Sequence, residues 1–223
     1  MPLPQLINSD AAAPAAGTVS YDFVYRGTWG NDLIYGSSYA DLIYGYDGND
    51  TIYGGHGSDT LNGGSGRDYL SGGSGHDDLY GGSGSDRLVG GDGLDNLYGG
   101  NGNDFLAGGA HSDYLYGGYG ADRFVFTQAD VIYQDAWNDY IDDFYHSDGD
   151  IIDVSRIDAV AGGRDNAFFF IGTDEFSGQA GEMRYENTAD ATFVEMDTDG
   201  DGHYDYFIEL NGSFDLWASD FVL

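Results

Sequence analysis

The sequence predicts an all-β chain wound into a coil of short parallel strands, and three observations predict it. From Gly27 to Val125 the chain reads as eleven consecutive nine-residue units with no insertion or deletion. The sixth place of every unit is Asp: Asp32, Asp41, Asp50, Asp59, Asp68, Asp77, Asp86, Asp95, Asp104, Asp113 and Asp122. Two places later stands a large apolar residue: Ile34, Ile43, Ile52, Leu61, Leu70, Leu79, Leu88, Leu97, Leu106, Leu115 and Phe124.

These columns imply how one unit folds. The last three residues form a short strand whose middle side chain points inward, because side chains alternate across a pleat. The first six, G-G-x-G-x-D, turn the chain, and their glycines supply the positive φ and close backbone approach that such a turn needs. One unit is then a half-coil, two units return the chain one strand spacing further on, and eleven build roughly 26 Å of stack at about 4.8 Å per coil.

Along each edge the turns of units n and n+2 face each other. Their Asp carboxylates line the gap together with the carbonyls of the turn glycines Gly55, Gly57, Gly64, Gly66, Gly73, Gly75, Gly82, Gly84, Gly91, Gly93, Gly100, Gly102, Gly118 and Gly120. A gap lined only by hard oxygen donors suits Ca²⁺, which takes six to eight oxygen ligands, better than Mg²⁺, which keeps its waters. Six turns on one edge and five on the other leave room for at most nine ions. A flexible Gly/Ser linker would need neither the invariant Asp nor the apolar residue after it. The pattern is looser at the start, where Thr28, Ser37 and Tyr46 hold the second place and Tyr39 the fourth, and His111 replaces the fourth Gly of unit ten. Sites at those turns are expected to be weak or absent.

Composition sets further bounds. The formal charge is −32 across 223 residues; the seven cations are all Arg, and the five Glu lie after the repeats. Such a chain repels nucleic acid and anionic membranes and attracts multivalent cations. Nine Ca²⁺ would bring −32 to −14. Without metal, self-repulsion and a thin core predict a largely disordered chain. Cysteine is absent, so no disulfide or thiolate site exists. No apolar run is long enough for a membrane span, and Met1 to Gly17 lacks the basic and apolar regions of an N-terminal secretory signal.

Residues 1–20 read as a leader. Tyr21, Phe23 and Tyr25 alternate along a capping strand over 21–26, and an open coil end calls for such a cap. After the repeats, 126–223 carry ordinary β patterning: Tyr140 to Phe144, Asp150 to Val154, Ala167 to Ile171, Glu182 to Tyr185, Thr192 to Met196 and Tyr204 to Leu210 read as strands that close the far end. Ser155 to Ala161 reads as a short helical turn.

The stretches Gly117-Gly118-Tyr119-Gly120-Ala121-Asp122-Arg123-Phe124-Val125-Phe126, Asp139-Tyr140-Ile141-Asp142-Asp143-Phe144 and Asp148-Gly149-Asp150-Ile151-Ile152-Asp153-Val154-Ser155 resemble the C-terminal domain of the serralysin metalloproteases and related RTX exoproteins. The same pattern is similar to the calcium-binding modules of secreted alginate epimerases. The resemblance covers roughly residues 20–223. It implies a right-handed parallel β-roll with a C-terminal β cap, folded by calcium outside the cell and exported by a type I machine. It also implies that Asp220-Phe221-Val222-Leu223 is an uncleaved secretion signal; a final packed strand is the alternative. The protease half is not matched: none of His56, His76, His111, His146 and His203 lies in H-E-x-x-H.

Two features lie outside this scheme. Asp197, Asp199, Asp201 and Asp205 form a second candidate calcium loop, like the start of an EF-hand, although its twelfth position is Ile208 instead of Glu. An acidic hairpin between two strands is the alternative. Tyr44, Asn62, Tyr80, Tyr98 and Tyr116 hold the ninth place of the even-numbered units and should align as an outward row. The tyrosines Tyr44, Tyr80, Tyr98 and Tyr116 could stack on sugar rings of a polysaccharide, or could shield and brace the sheet. Catalysis is not expected, because the repeat Asp residues are committed to metal and no nucleophile, base and orienting group stand together.

Overall fold

The computed structural model describes residues 23–128, 139–160 and 167–223. The leader expected over 1–20, the first residues of the capping strand, and parts of the C-terminal region lie outside them. The repeat strands are β2 Leu33–Tyr35, β3 Asp41–Asp47, β4 Thr51–His56, β5 Thr60–Ser65, β6 Tyr69–Ser74, β7 Asp78–Ser83, β8 Arg87–Asp92, β9 Asn96–Asn101, β10 Phe105–Ala110, β11 Tyr114–Tyr119 and β12 Arg123–Thr127. Ahead of them stands β1 Phe23–Arg26. After them come β13 Tyr140–Ile141, β14 Ile151–Arg156, β15 Phe169–Phe170, β16 Glu182–Asn187, β17 Ala191–Asp197, β18 Tyr206–Asn211 and β19 Phe221–Val222.

Even-numbered and odd-numbered repeats separate into two sheets. One has the order β1-β3-β5-β7-β9-β11-β13-β18-β17-β16-β15, the other β19-β14-β12-β10-β8-β6-β4-β2. Neighbouring repeat strands are parallel and in an 18-residue register, as in Leu61↔Leu79 and Leu70↔Leu88. Two repeats therefore make one coil, and the fold is a parallel β-roll.

The strands are longer than the three residues expected. In the regular repeats they run over six, from the residue after Asp through both glycines and one residue beyond. The reason is that the sixth, eighth and next first places all point inward at period two: Asp, the apolar residue and the first Gly. The burial pattern of β5, with Leu61 and Gly63 buried between partly exposed neighbours, shows this alternation continuing through the glycine pair. The aliphatic column from Ile34 to Leu115, with Phe124, forms the core and is at most 3% exposed. With one large apolar side chain per unit, each burying about 1.5–3 kcal/mol of transfer free energy, this core is narrow.

Beyond unit eleven the winding goes on without the glycines. β13 pairs parallel with β11, β14 with β12, and β19 with β14. β16, β17 and β18 are antiparallel and extend one sheet, burying Met183, Val194, Met196, Ile208 and Leu210. The helical turn expected at Ser155 to Ala161 is corrected: Ser155 and Arg156 belong to β14, held by its pairing with β12, and Ile157 N–H then turns back onto the Val154 carbonyl at 2.9 Å. The described 3₁₀ turn is instead Ala218–Asp220.

Candidate metal centre

The eleven repeat Asp residues are buried, none more than 6% exposed. Winding at two repeats per coil stacks them in two ladders, and the two oxygens of each carboxylate have different surroundings. Oδ1 accepts the backbone N–H of the Asp one coil earlier: Asp41 N–H donates to Asp59, Asp59 to Asp77 and Asp77 to Asp95, each at 2.8 Å. The other ladder repeats this from Asp32 to Asp50 and on to Asp122.

Oδ2 crosses the turn toward the first Gly of its own unit. A Cβ on Gly54 would lie 2.3 Å from Asp59 Oδ2 and 2.7 Å from the Gly72 carbonyl oxygen one coil on; at Gly72 the same distances, to Asp77 Oδ2 and Gly90 O, are 2.3 and 2.8 Å. The first glycine is therefore required because the place of its side chain holds a carboxylate oxygen and a carbonyl. Carbonyls of the second and fourth places also point into the next turn: those of Gly55 and Gly57 would lie 2.1 and 1.9 Å from a Cβ on Gly73 and Gly75.

For Asp50, Asp59, Asp68, Asp77, Asp86, Asp95, Asp104 and Asp122, Oδ2 is buried and has no hydrogen-bond donor. An anionic oxygen shut away from water without a partner is strongly disfavoured. Burial accordingly raises these carboxyls: Asp59, Asp95 and Asp104 to about 7, and Asp50, Asp68, Asp77 and Asp122 to about 6, against the N–H bonds to Oδ1 that pull the other way. For most of them a carboxylate one coil away adds to the rise. Bare buried carboxylate oxygens beside backbone carbonyls fit a hard divalent cation with oxygen ligands, and Ca²⁺ is such a cation.

A family model for RTX calcium-binding nonapeptide repeats matches residues 26–61, 53–88 and 89–124. Together the matches run over residues 26–124, which are similar throughout to RTX calcium-binding nonapeptide repeats. Among solved structures, the AlgE6R2 subunit of the Azotobacter vinelandii mannuronan C5-epimerase is similar at 29% identity, over 71% of this chain and 88% of that one, with a TM-score of 0.45. The AlgE6R3 subunit of the same epimerase is 22% identical over 95% of this chain and 86% of that one, with a TM-score of 0.30. Comparison with curated proteins returned no match.

The RTX ladders are longer than their glycine-rich repeats. Asp113 N–H donates to Asp139 Oδ1 at 2.8 Å, and Asp122 N–H to Asp150 Oδ1 at 2.9 Å. Asp139 and Asp150 thus add a rung to each ladder, and a signal for them was present: Asp139-Tyr140-Ile141 and Asp150-Ile151-Ile152 keep the D-x-U core, with Ile141 beside Leu115 and Ile152 beside Phe124. Asp143, also absent from the expected set, takes the N–H groups of Gly117 and Gly118, both at 2.7 Å. Its carboxyl is raised to about 7, chiefly by burial.

The other expected features have separate fates. Asp197, Asp199 and Asp205 offer oxygens within 4.8 Å of one another, whereas Asp201 is not in that group. Their carboxylates brace the hairpin between β17 and β18. Asp205 Oδ2 accepts from Thr198 N–H and hydroxyl at 2.7 and 2.6 Å, and Asp197 from the N–H groups of Gly200 and Gly202 at 2.6 and 3.0 Å. The tyrosine row aligns as expected, with Tyr44↔Asn62, Asn62↔Tyr80, Tyr80↔Tyr98 and Tyr98↔Tyr116 as direct neighbours. Tyr80 and Tyr98 are parallel within 4° with centroids 4.9 Å apart. Asp220 is buried and accepts Trp217 N–H at 2.6 Å and a contact from His146 Nδ1 at 2.9 Å, while Phe221 and Val222 form β19. No helix among the described residues is long and apolar enough to cross a membrane.

Proposed function

We propose that this chain is an exported protein whose β-roll folds when calcium fills its turns. The observation that carries the reading is the set of buried Asp Oδ2 atoms with no donor. Folding brings these oxygens beside carbonyls of the next coil, as at Asp59 and Asp77, which at neutral pH is favourable only when a cation lies between the oxygens. Ligand that binds the fold and not the unfolded chain stabilises it by mass action, so many turns sharing one roll make the transition steep in calcium. Extracellular calcium at roughly millimolar levels suits RTX turns built from one carboxylate and several carbonyls each. In lower calcium the ladders repel themselves, and the −32 chain stays open. The number of ions proposed is at most nine.

Export by a type I machine follows from the family resemblance of Asp220-Phe221-Val222-Leu223. Because these residues are packed in the roll, the address would be read before folding. A polysaccharide partner on the tyrosine row is the weaker reading: Tyr80 and Tyr98 already stack ring face on ring face with each other. The acidic hairpin is not proposed as a calcium site, since Asp197 and Asp205 already accept several hydrogen bonds.

Circular dichroism in EGTA and in 5–10 mM calcium, on the order of the extracellular-module range, tests the central reading. The β signal is expected only with calcium. A full β spectrum in chelator at neutral pH would overturn it.

A further inference from the structure

We infer that Thr28 and Ser37 close the first turn on each edge to calcium, so that the ion ladders of this chain begin at its third repeat. The inference rests on the calcium reading above and says which turns that reading applies to.

From unit three onward the second place of the turn has positive φ, from 78° at Tyr46 through 114° at Gly55 to 99° at Gly118, and so does the fourth, from Gly48 at 127° to Gly120 at 130°. Thr28 and Ser37, and Gly30 and Tyr39 two places later, are not among the positive-φ residues. A Cβ disfavours the left-handed region, and although Tyr46 and His111 adopt it, Thr28 and Ser37 keep the other conformation. That conformation turns the N–H of the second place onto the Asp of its own unit. Thr28 N–H reaches Asp32 Oδ2 at 2.5 Å and the Thr28 hydroxyl at 2.9 Å; Ser37 N–H reaches Asp41 Oδ2 at 2.5 Å, with its hydroxyl on Oδ1 at 3.2 Å. The same oxygen of Asp50, Asp59 and Asp68 has no donor. In the first two turns the chain itself supplies the positive partner that a cation supplies elsewhere.

The far ends of the ladders are closed in a like manner. Asp139 Oδ2 accepts the Tyr206 hydroxyl, and Asp150 Oδ2 the Tyr145 N–H at 2.8 Å. The turns whose Asp keeps a bare Oδ2 between these closed ends are those of units three to nine and eleven.

Thr28→Gly gives the first unit the complete G-G-x-G-x-D turn, because Gly27, Gly30 and Asp32 are already present. Thr28→Ala keeps the Cβ and the N–H. The full chain and both variants are compared for calcium bound at saturation, by equilibrium dialysis with metal analysis, alongside circular dichroism. The Gly variant is expected to bind one ion more than the original chain, and the Ala variant the same number. An unchanged count in a folded Thr28→Gly chain, or an equal gain in Thr28→Ala, overturns the inference. Should Thr28→Gly fail to fold, Ser37→Gly combined with Tyr39→Gly makes the same comparison on the other edge. An original chain that binds no calcium would instead remove the calcium reading itself.

Discussion

In each regular repeat one Asp side chain holds the coil together with Oδ1 and leaves Oδ2 over a glycine. Its neighbours are therefore chosen for what they lack. The fourth-place glycines are the tightest: Gly84 has a φ of 138°, and a Cβ there would lie 1.5 Å from the Gly66 carbonyl oxygen. Gly84→Ala is expected to cost more than the ~1–2 kcal/mol of a left-handed residue alone, because it also moves a carbonyl that faces the turn above. The check is thermal unfolding in saturating calcium, with Ser85→Ala in the same turn as a control; equal melting temperatures for the two variants would contradict it. Legibility at this level was uneven. The Asp column and the glycines could be read from spacing, whereas Asp139 and Asp150 keep only the D-x-U core without the full G-G-x-G turn, and Asp143 stands outside the nine-residue period.

Strands of six residues, in place of three, follow from a period-two run that passes through the glycine pair, where no side chain signals which way the backbone faces. Between the strands, identical places come into direct register, and like side chains stack. Tyr80 on Tyr98, parallel at strand spacing, is a cross-strand pair of the kind that contributes about 0.5–1.5 kcal/mol beyond area burial. A double-mutant cycle with Tyr80→Ala and Tyr98→Ala should return coupling of that size in calcium-dependent unfolding. Strict additivity would show that the row does not brace the sheet.

Taken together, the molecule is a narrow apolar column flanked by two columns of acid. Burial holds seven of these carboxyls at about 6 or 7. Unfolded, they titrate near 4, so the metal-free fold binds their protons more tightly than the unfolded chain does. That support is complete below about pH 4 and is lost as pH rises through 6 to 7. In EGTA the β signal is therefore expected to grow as pH falls from about 7.5 to 4.5. With calcium present the sign reverses for binding: protons compete for the same oxygens, so the calcium midpoint should rise over the same interval. A midpoint independent of pH would mean that other groups hold the ion.

Much of this could be read from the chain alone. A period of nine with an inward apolar residue dictates a coil of two repeats per turn, and an Asp at constant distance from it must stack at one edge, because both follow from local geometry repeated without interruption. Where the repetition lapses, only long-range contacts decide. The hydroxyl of Tyr206 meets Asp139 across 67 residues, and Asp143 reaches back 26 residues to Gly117. Thr28 and Ser37 stood out as departures from the glycine pattern, yet whether such a residue weakens a turn or closes it depends on where its N–H points once the next coil is in place.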